Sequence, residues 1–323
     1  MANRLMPAIF ALLLLLTAFL SGCSSAKGPE IERISVVCTI FPQYDWVRQI
    51  LGDNPADIDA AFLLDNRIDL HNYQPAVDDI VKIGAADIFI FVGGESDKWV
   101  AGALREAAKP GAVAINLLET LGAAAKAEEL LEGMEEDEDD EADGDGLDEH
   151  VWLSLKNAAV LCKAITEGLS SLDPGNKDVY ENNLAGYIGK LSSLDDEYHK
   201  LLTAAPSKNL LFGDRFPFRY LADDYGINCY AAFQGCQAET EASFDTVVFL
   251  AKKVDELNLG AVMVTESADQ AIAKTIVNNT NSKDQKILVL DSMQSVTSRD
   301  VMGGVTYLSI MRGNLDVIAK ALM

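Results

Sequence analysis

Two stretches of alternating strand and helix signals flank one long proline-free helical segment, and this arrangement leaves few folds open. ISVVCTIF, AAFLL, DIFIFVGG and AVAINL are short apolar runs, separated by helical spacing in YDWVRQILG, AVDDIVKIGAA and WVAGALREAAK. Strands without polar alternation are covered on both faces, as in a parallel sheet wrapped by helices. The rhythm returns after Pro206, with NLLFG, INCYAAF, GAVMVTE and KILVLD as strands. FRYLADDYG, SFDTVVFLAKKVDELN, SADQAIAKTIVNNT and YLSIMRGNLDVIAKAL are the helices that follow them. Between the halves, Val179, Leu184, Tyr187, Ile188, Leu191, Leu194, Tyr198 and Leu201 recur close to a 3-4 spacing. A helix of about 28 residues reaches roughly 42 Å, enough to bridge two lobes. The fold class expected is α/β, with two Rossmann-like lobes of mostly parallel sheet (33–175 and 205–323) joined by one backbone helix (176–204). No internal sequence repeat relates the halves.

The first 22 residues read as a secretory signal: an early Arg4, a leucine-rich run too short to span a bilayer, then small residues. LSGC, closing on Cys23, resembles a bacterial lipobox; similar sequences are cleaved before the cysteine, which then carries lipid. Residues 23–32 read as a tether. The expected protein is extracytoplasmic and anchored to the cell membrane by lipid on Cys23, and a monomer. Asp and Glu number 50 against 26 Lys and Arg. Such a balance disfavours nucleic acid, which needs a basic face, and favours cations. It is concentrated in the loop 128–149, where eleven carboxylates fall in the fifteen residues from Glu135 to Glu149. That loop cannot bury a core.

The other cysteines divide in two. Cys38 and Cys162 lie in apolar runs and read as small buried hydrophobes. Cys229 and Cys236 flank a turn-rich stretch in an oxidising compartment, and a local disulfide is expected there. Their spacing is not that of a zinc knuckle.

The chain has only three histidines. His199 lies on the long helix beside Glu197 and Lys200 and reads as surface. His71 follows AAFLL, and His150 ends the acidic loop and opens a helix. Asp291, Glu266 and Asp214 stand at or just beyond the ends of KILVLD, GAVMVTE and NLLFG. Open parallel sheets bind ligands outside the carboxyl ends of their strands, so these side chains can meet in one cleft. Imidazole nitrogen with carboxylate oxygen suits zinc or manganese. Each residue alone has a plainer reading: a strand-end Asp is commonly a helix cap and a loop His is commonly surface.

TIFPQYDWVRQILGD, DLHNYQPAVDDI, FVGGESDKWV, DEHVWLS, FRYLADDYGI, AETEASFDTVVFLAKKV and YLSIMRGNLDVIAKAL, in this order, resemble the zinc/manganese substrate-binding lipoproteins of ABC importers. The resemblance implies a metal held between two lobes on a stiff helix, for delivery to a permease and its ATPase. It implies ligands at His71 in Asp69-Leu70-His71, at His150 in Asp148-Glu149-His150-Val151-Trp152, and at Asp291. The family's third ligand, a His or Glu, falls here on Arg215, which cannot ligate a metal. Asp214 is the expected substitute, with Arg215, Glu241 and Glu266 as neighbours of the site; Glu241, Glu266 or water are the other substitutes. Zinc-type relatives often carry a His-rich loop where this chain has its acidic one. The transported ion expected is Zn²⁺, with Mn²⁺ as the alternative. An extracellular metallohydrolase using Glu266 or Asp214 as base, and an adhesin or chaperone, are the rival readings.

Overall fold

The computed structural model describes residues 33–53, 58–134, 146–236 and 242–323. The signal segment, Cys23, the tether, most of the acidic run and Glu241 lie outside the described residues. Two four-stranded sheets form. The first contains β1 (Ile34–Cys38), β2 (Ile58–Phe62), β3 (Ile88–Phe91) and β4 (Val113–Asn116), in the order β2-β1-β3-β4. The second contains β5 (Asn209–Phe216), β6 (Asn228–Gln234), β7 (Ala261–Thr265) and β8 (Lys286–Leu290), in the order β6-β5-β7-β8. Every strand pair is parallel. The two orders are the same, so a repeat without sequence similarity is present in the topology.

The helices are α1 (Phe41–Leu51), α2 (Val77–Ala85), α3 (Val100–Ala107), α4 (Leu117–Leu121), α5 (Leu155–Leu172), α6 (Lys177–Ala204), α7 (Arg219–Tyr225), α8 (Phe244–Glu256), α9 (Ala271–Asn279), α10 (Ser298–Met302) and α11 (Tyr307–Leu322). The 28 residues of α6 are the long helix the spacing predicts. Its buried face is Tyr180, Tyr187, Leu191, Leu194, Tyr198 and Leu202, one stripe at helical spacing. The amino-terminal part of α6 ties to the first lobe, where Asn183 Nδ2 donates to the Ile50 carbonyl at 2.9 Å. Its carboxyl-terminal part ties to the second, where Tyr198 donates to the Met311 carbonyl at 2.6 Å and stacks on Tyr225. His199 is half exposed on this helix.

Ile34–Met323 is one compact unit, and a single apolar cluster runs from Val36 in β1 to Ile318 in α11. Cys38 and Cys162 are free thiols buried in it. The lobes also meet through buried polar contacts. Asp45 accepts the Tyr307 N–H at 3.0 Å, Tyr307 donates its hydroxyl to the Trp152 carbonyl at 2.7 Å, and Trp152 Nε1 donates to the Ser292 carbonyl at 2.9 Å. Trp152 and Tyr307 are wholly buried, so these bonds have no water to replace them.

Two sequence expectations need correction. β5 runs on past NLLFG to Phe216, because the chain crosses a register shift between Phe212 and Arg215 and keeps pairing with β6. The disulfide between Cys229 and Cys236 is absent, and both thiols are free. Cys229 is the second residue of β6 and Cys236 lies two residues beyond its end. The extended strand alone separates them by roughly 17 Å, where a disulfide needs Cα atoms within about 7 Å.

Tyr307→Phe should lower stability by roughly 1–3 kcal/mol, because it leaves the buried Trp152 carbonyl without a donor. Urea unfolding with the slope unchanged would check this.

Candidate metal centre

β2 ends at Phe62, and the chain then runs to a single 3₁₀ turn, Leu70–Asn72. Asp69 caps this turn: its Oδ1 accepts the His71 N–H at 3.0 Å. The cap fixes where the His71 side chain starts. Its ring Nδ1 lies 2.8 Å from Ser96 Oγ, and Glu149 Oε2 is 3.4 Å away in ionic contact. The other Glu149 oxygen accepts the Ser96 N–H at 2.8 Å. This approach needs Gly94, whose φ is +77° and where a Cβ would sit 2.4 Å from Glu149 Oε1.

His150 opens a second 3₁₀ turn, Val151–Leu153, ahead of α5. Asp148 Oδ1 accepts both the His150 N–H (2.9 Å) and its ring Nδ1–H (3.1 Å). Asp148 is held in turn by Tyr220, whose hydroxyl donates to the Asp148 carbonyl at 2.9 Å. With both Nδ1 atoms engaged, the two Nε2 atoms face each other at 3.1 Å. Two nitrogens on one tetrahedral zinc, at the usual bond length, lie about 3.3 Å apart. The pair is therefore spaced for a shared cation, with partners on Nδ1 of the kind that fix ligating histidines.

Sequence reasoning missed one member of this group. Among the described residues, His71, His150 and Cys236 bring ligand atoms within 4.8 Å of one another. Cys236 comes from the far lobe, just past β6, where its N–H donates to Glu128 Oε1 at 2.8 Å. The preceding Gly235 lies against His150: a Cβ there would sit 3.1 Å from His150 Cε1 and 2.8 Å from the Phe216 carbonyl. The signal available in the sequence was position alone, since Cys236 follows a strand's carboxyl end as the other candidates do.

The remaining candidates are dispersed around this centre. Arg215 donates to Asp69 Oδ2 at 2.6 Å, so the cation falling on the family's third ligand position braces the turn that carries His71. Asp214 points the other way, as neighbours on a strand do. Its Oδ2 accepts the Thr265 N–H at 2.8 Å and is also bonded by the Thr265 hydroxyl, and it lines, with Arg215, a cavity of about 630 Å³. Glu266 accepts from Ser292 N, Ser292 Oγ and Gln294 N, and so shapes the loop after β8. Asp291 begins that loop and accepts the Met293 N–H at 2.7 Å. The same loop meets both histidine segments: Ser292 takes Trp152 Nε1, and Gln294 Oε1 accepts the Leu70 N–H at 3.3 Å. Asp291 is thus beside the site, outside the set of three.

Electrostatics follow from burial. Burial disfavours a charged His150, but Asp148, with help from Glu149 and Asp69, outweighs it and holds the imidazole above its ordinary value. Burial works upward on Asp69 and Glu149 too, yet His71 lowers both, helped by Arg215 at Asp69 and by Ser96 at Glu149. Asp291 is pushed up to about 7, by burial and then by Glu266. Burial, with Glu128, Asp148 and Glu149, pushes the Cys236 thiol well up. The result is a buried anionic pocket with two imidazole nitrogens aimed into it.

Fold and site together define a two-lobed α/β binding protein with a candidate cation site at the strand ends. A family described as zinc-uptake complex component A, periplasmic (ZnuA) matches residues 36–321, and the chain belongs to this family of ABC-transporter substrate-binding proteins. It is 30% identical to the high-affinity zinc uptake system protein ZnuA of Bacillus subtilis, over 94% of this chain and 92% of that one. It is 31% identical to the zinc-binding lipoprotein AdcA of Streptococcus pneumoniae, over 94% of this chain but 58% of the relative's length. The solved Zn(II)-bound ZnuA-like domain of that AdcA is similar at 28% identity, with a TM-score of 0.69 over 90% of this chain and 99% of that one. The periplasmic zinc-binding protein TroA of Treponema pallidum has a TM-score of 0.73 at 22% identity over 90% and 99% of the two chains, and shares the fold. No helix among the described residues is long and apolar enough to cross a membrane.

Metal binding needs both imidazoles neutral. Because the His150 value is raised, zinc affinity should begin to fall above pH ~6.5, the ordinary imidazole value, as the solution is acidified. In the metal-free protein the sign is opposite for this group. Its contribution to stability is full below the unfolded-state value and is lost as pH rises through the folded one. Melting temperatures with and without zinc should therefore separate as pH climbs from 5 to 8; curves that stay parallel would contradict the assignment.

Proposed function

We propose that this chain is the extracytoplasmic receptor of an ABC importer, capturing Zn²⁺ between its lobes and delivering it to a membrane permease driven by an ATPase. The observation that carries the reading is the buried pair of Nε2 atoms at 3.1 Å, each imidazole fixed through its Nδ1. Nitrogen donors favour zinc over manganese, which prefers oxygen. His71 and His150 are ligands, and Asp291 joins them through a small movement of the loop it opens. With its value raised to about 7, Asp291 gives up a proton on binding in the fraction that carries one, which a dication promotes.

In this reading Arg215 and Glu266 support the site and Asp214 does not ligate. The chain works as a monomer tethered by lipid on Cys23, so Cys23→Ala should release it from the membrane fraction. The acidic loop gathers cations loosely and hands them on.

The direct test is metal content and competitive titration of the chain lacking residues 1–23, with zinc and manganese. One tightly held zinc, displaced only weakly by manganese and lost in His71→Ala, is the expected result. Tight manganese with weak zinc would move the chain to the manganese receptors. No tight metal would overturn the reading.

A further inference from the structure

Arg215 stands where the resemblance calls for a ligand, and it is turned to Asp69. The space beside the imidazoles is approached instead by sulfur. We propose that Cys236 is a zinc ligand, bound as thiolate, and that it makes this receptor selective for thiophilic dications; the proposal rests on the zinc-receptor reading above.

Several observations converge on the Cys236 segment. Its sulfur is within 4.8 Å of a nitrogen of both His71 and His150, so a shift of about 1 Å brings all three donors to the separation they have on one tetrahedral zinc. Its backbone is fixed from the first lobe by Glu128, so the thiol does not merely drift near the site. Gly235 supplies the close approach: any side chain there would meet His150 and the Phe216 carbonyl. Cys236 has no disulfide partner, which leaves the sulfur available. The surroundings favour a cation as well. Glu149 Oε2 is buried 3.4 Å from His71 Nδ1 and has no other partner among the described residues, so its charge acts through the ring that presents Nε2 to the site.

The pocket's charge calls for a dication. Thiolate from Cys236 and carboxylate from Asp291 with two neutral imidazoles make four ligands. Burial, with the Glu128, Asp148 and Glu149 carboxylates, holds the metal-free thiol protonated, and those carboxylates attract the ion that displaces its proton. Arg215 neutralises Asp69, so the capping carboxylate adds no net charge. On binding, the S–H proton leaves to solvent and the sulfur lone pair forms the metal bond. No electron transfer is needed. Thiolate is a soft donor that suits zinc and cadmium and serves manganese poorly. The ligand that Arg215 takes away from β5 is thus restored from β6, with a change from hard or borderline to soft.

Cobalt(II) titration of the chain lacking residues 1–23 tests this, because cobalt–thiolate bonds absorb in the near ultraviolet by charge transfer whereas imidazole and carboxylate bonds do not. The unsubstituted chain should show that band and lose it when zinc is added. Cys236→Ser should bind cobalt without the band, and its zinc affinity should fall by more than about 100-fold, exceeding the effect of removing a residue that only orients a ligand. Cys229→Ser, the other thiol of the same strand, should leave band and affinity unchanged. Cys236→Asp should keep a tight site but narrow the preference for zinc over manganese. Cobalt bound tightly with no charge-transfer band, or Cys236→Ser with undiminished zinc affinity, would overturn the thiolate while leaving the receptor intact. No cobalt or zinc binding by the unsubstituted chain would overturn the receptor reading itself.

Discussion

Two imidazole lone pairs cannot face each other at 3.1 Å in a buried place unless something positive lies between them. Much of the architecture around the site can be read as the means of maintaining that contact. Asp148 holds His150 by ring and backbone together, and Asp69 holds the His71 backbone. Ser96 and Glu149 hold the far side of the His71 ring. In the metal-free protein a proton satisfies the pair, which agrees with the upward displacement of His150. A metal ion satisfies it better, since one dication serves both nitrogens and the carboxylates behind them. The site is therefore preorganised at a cost, and the shared core of the two lobes must supply it.

That core explains why the histidines do not relax apart. Trp152 follows His150 by two residues, is wholly buried, and is bonded to Tyr307 on one side and Ser292 on the other. Leu70, the residue before His71, is equally buried and donates its N–H to Gln294 Oε1. Each histidine thus lies within two residues of a side chain locked between lobes. The helix α6 makes the same connection over a longer distance, from Ile50 at one end to Met311 at the other.

Much of this was legible in the sequence, for identifiable reasons. Each of the eight strands overlaps an apolar run, and α6 has an uninterrupted apolar stripe; both patterns are local, so the chain alone reveals them. His71 and His150 were visible because histidine is scarce here and each sits beside an aspartate two residues earlier, the Asp-x-His spacing that becomes a cap in the structure. What failed was non-local. Nothing in GDRFPF says that Arg215 pairs with Asp69, 146 residues away. INCYAAF reads as a strand, yet Cys229 and Cys236 read as flanking a turn-rich stretch; β6 runs on to Gln234 and carries the thiols to opposite ends. With the strand extended that far the disulfide has no geometry, and Cys236 becomes a strand-end residue, in the same class as the other candidates.

The exchange of Arg for a ligand at position 215 then has a physical sense. Placing a guanidinium near a cation site is unfavourable unless a carboxylate takes up its charge. Asp69 does so, and its two oxygens divide the work: one bonds the His71 N–H, the other Arg215. Through Asp69 the cation acts on the position of His71 without entering the metal's coordination. Such a substitution would still leave the site one donor short, and Cys236, just past β6 in the same lobe, brings its sulfur within 4.8 Å of the imidazole nitrogens. Strand pairing makes this possible, because β5 and β6 are neighbours in register from Asn209↔Asn228 to Phe216↔Gln234. A donor lost at the end of one strand can be recovered at the end of the next with little change to the fold, which is how one architecture can retune its choice of ion.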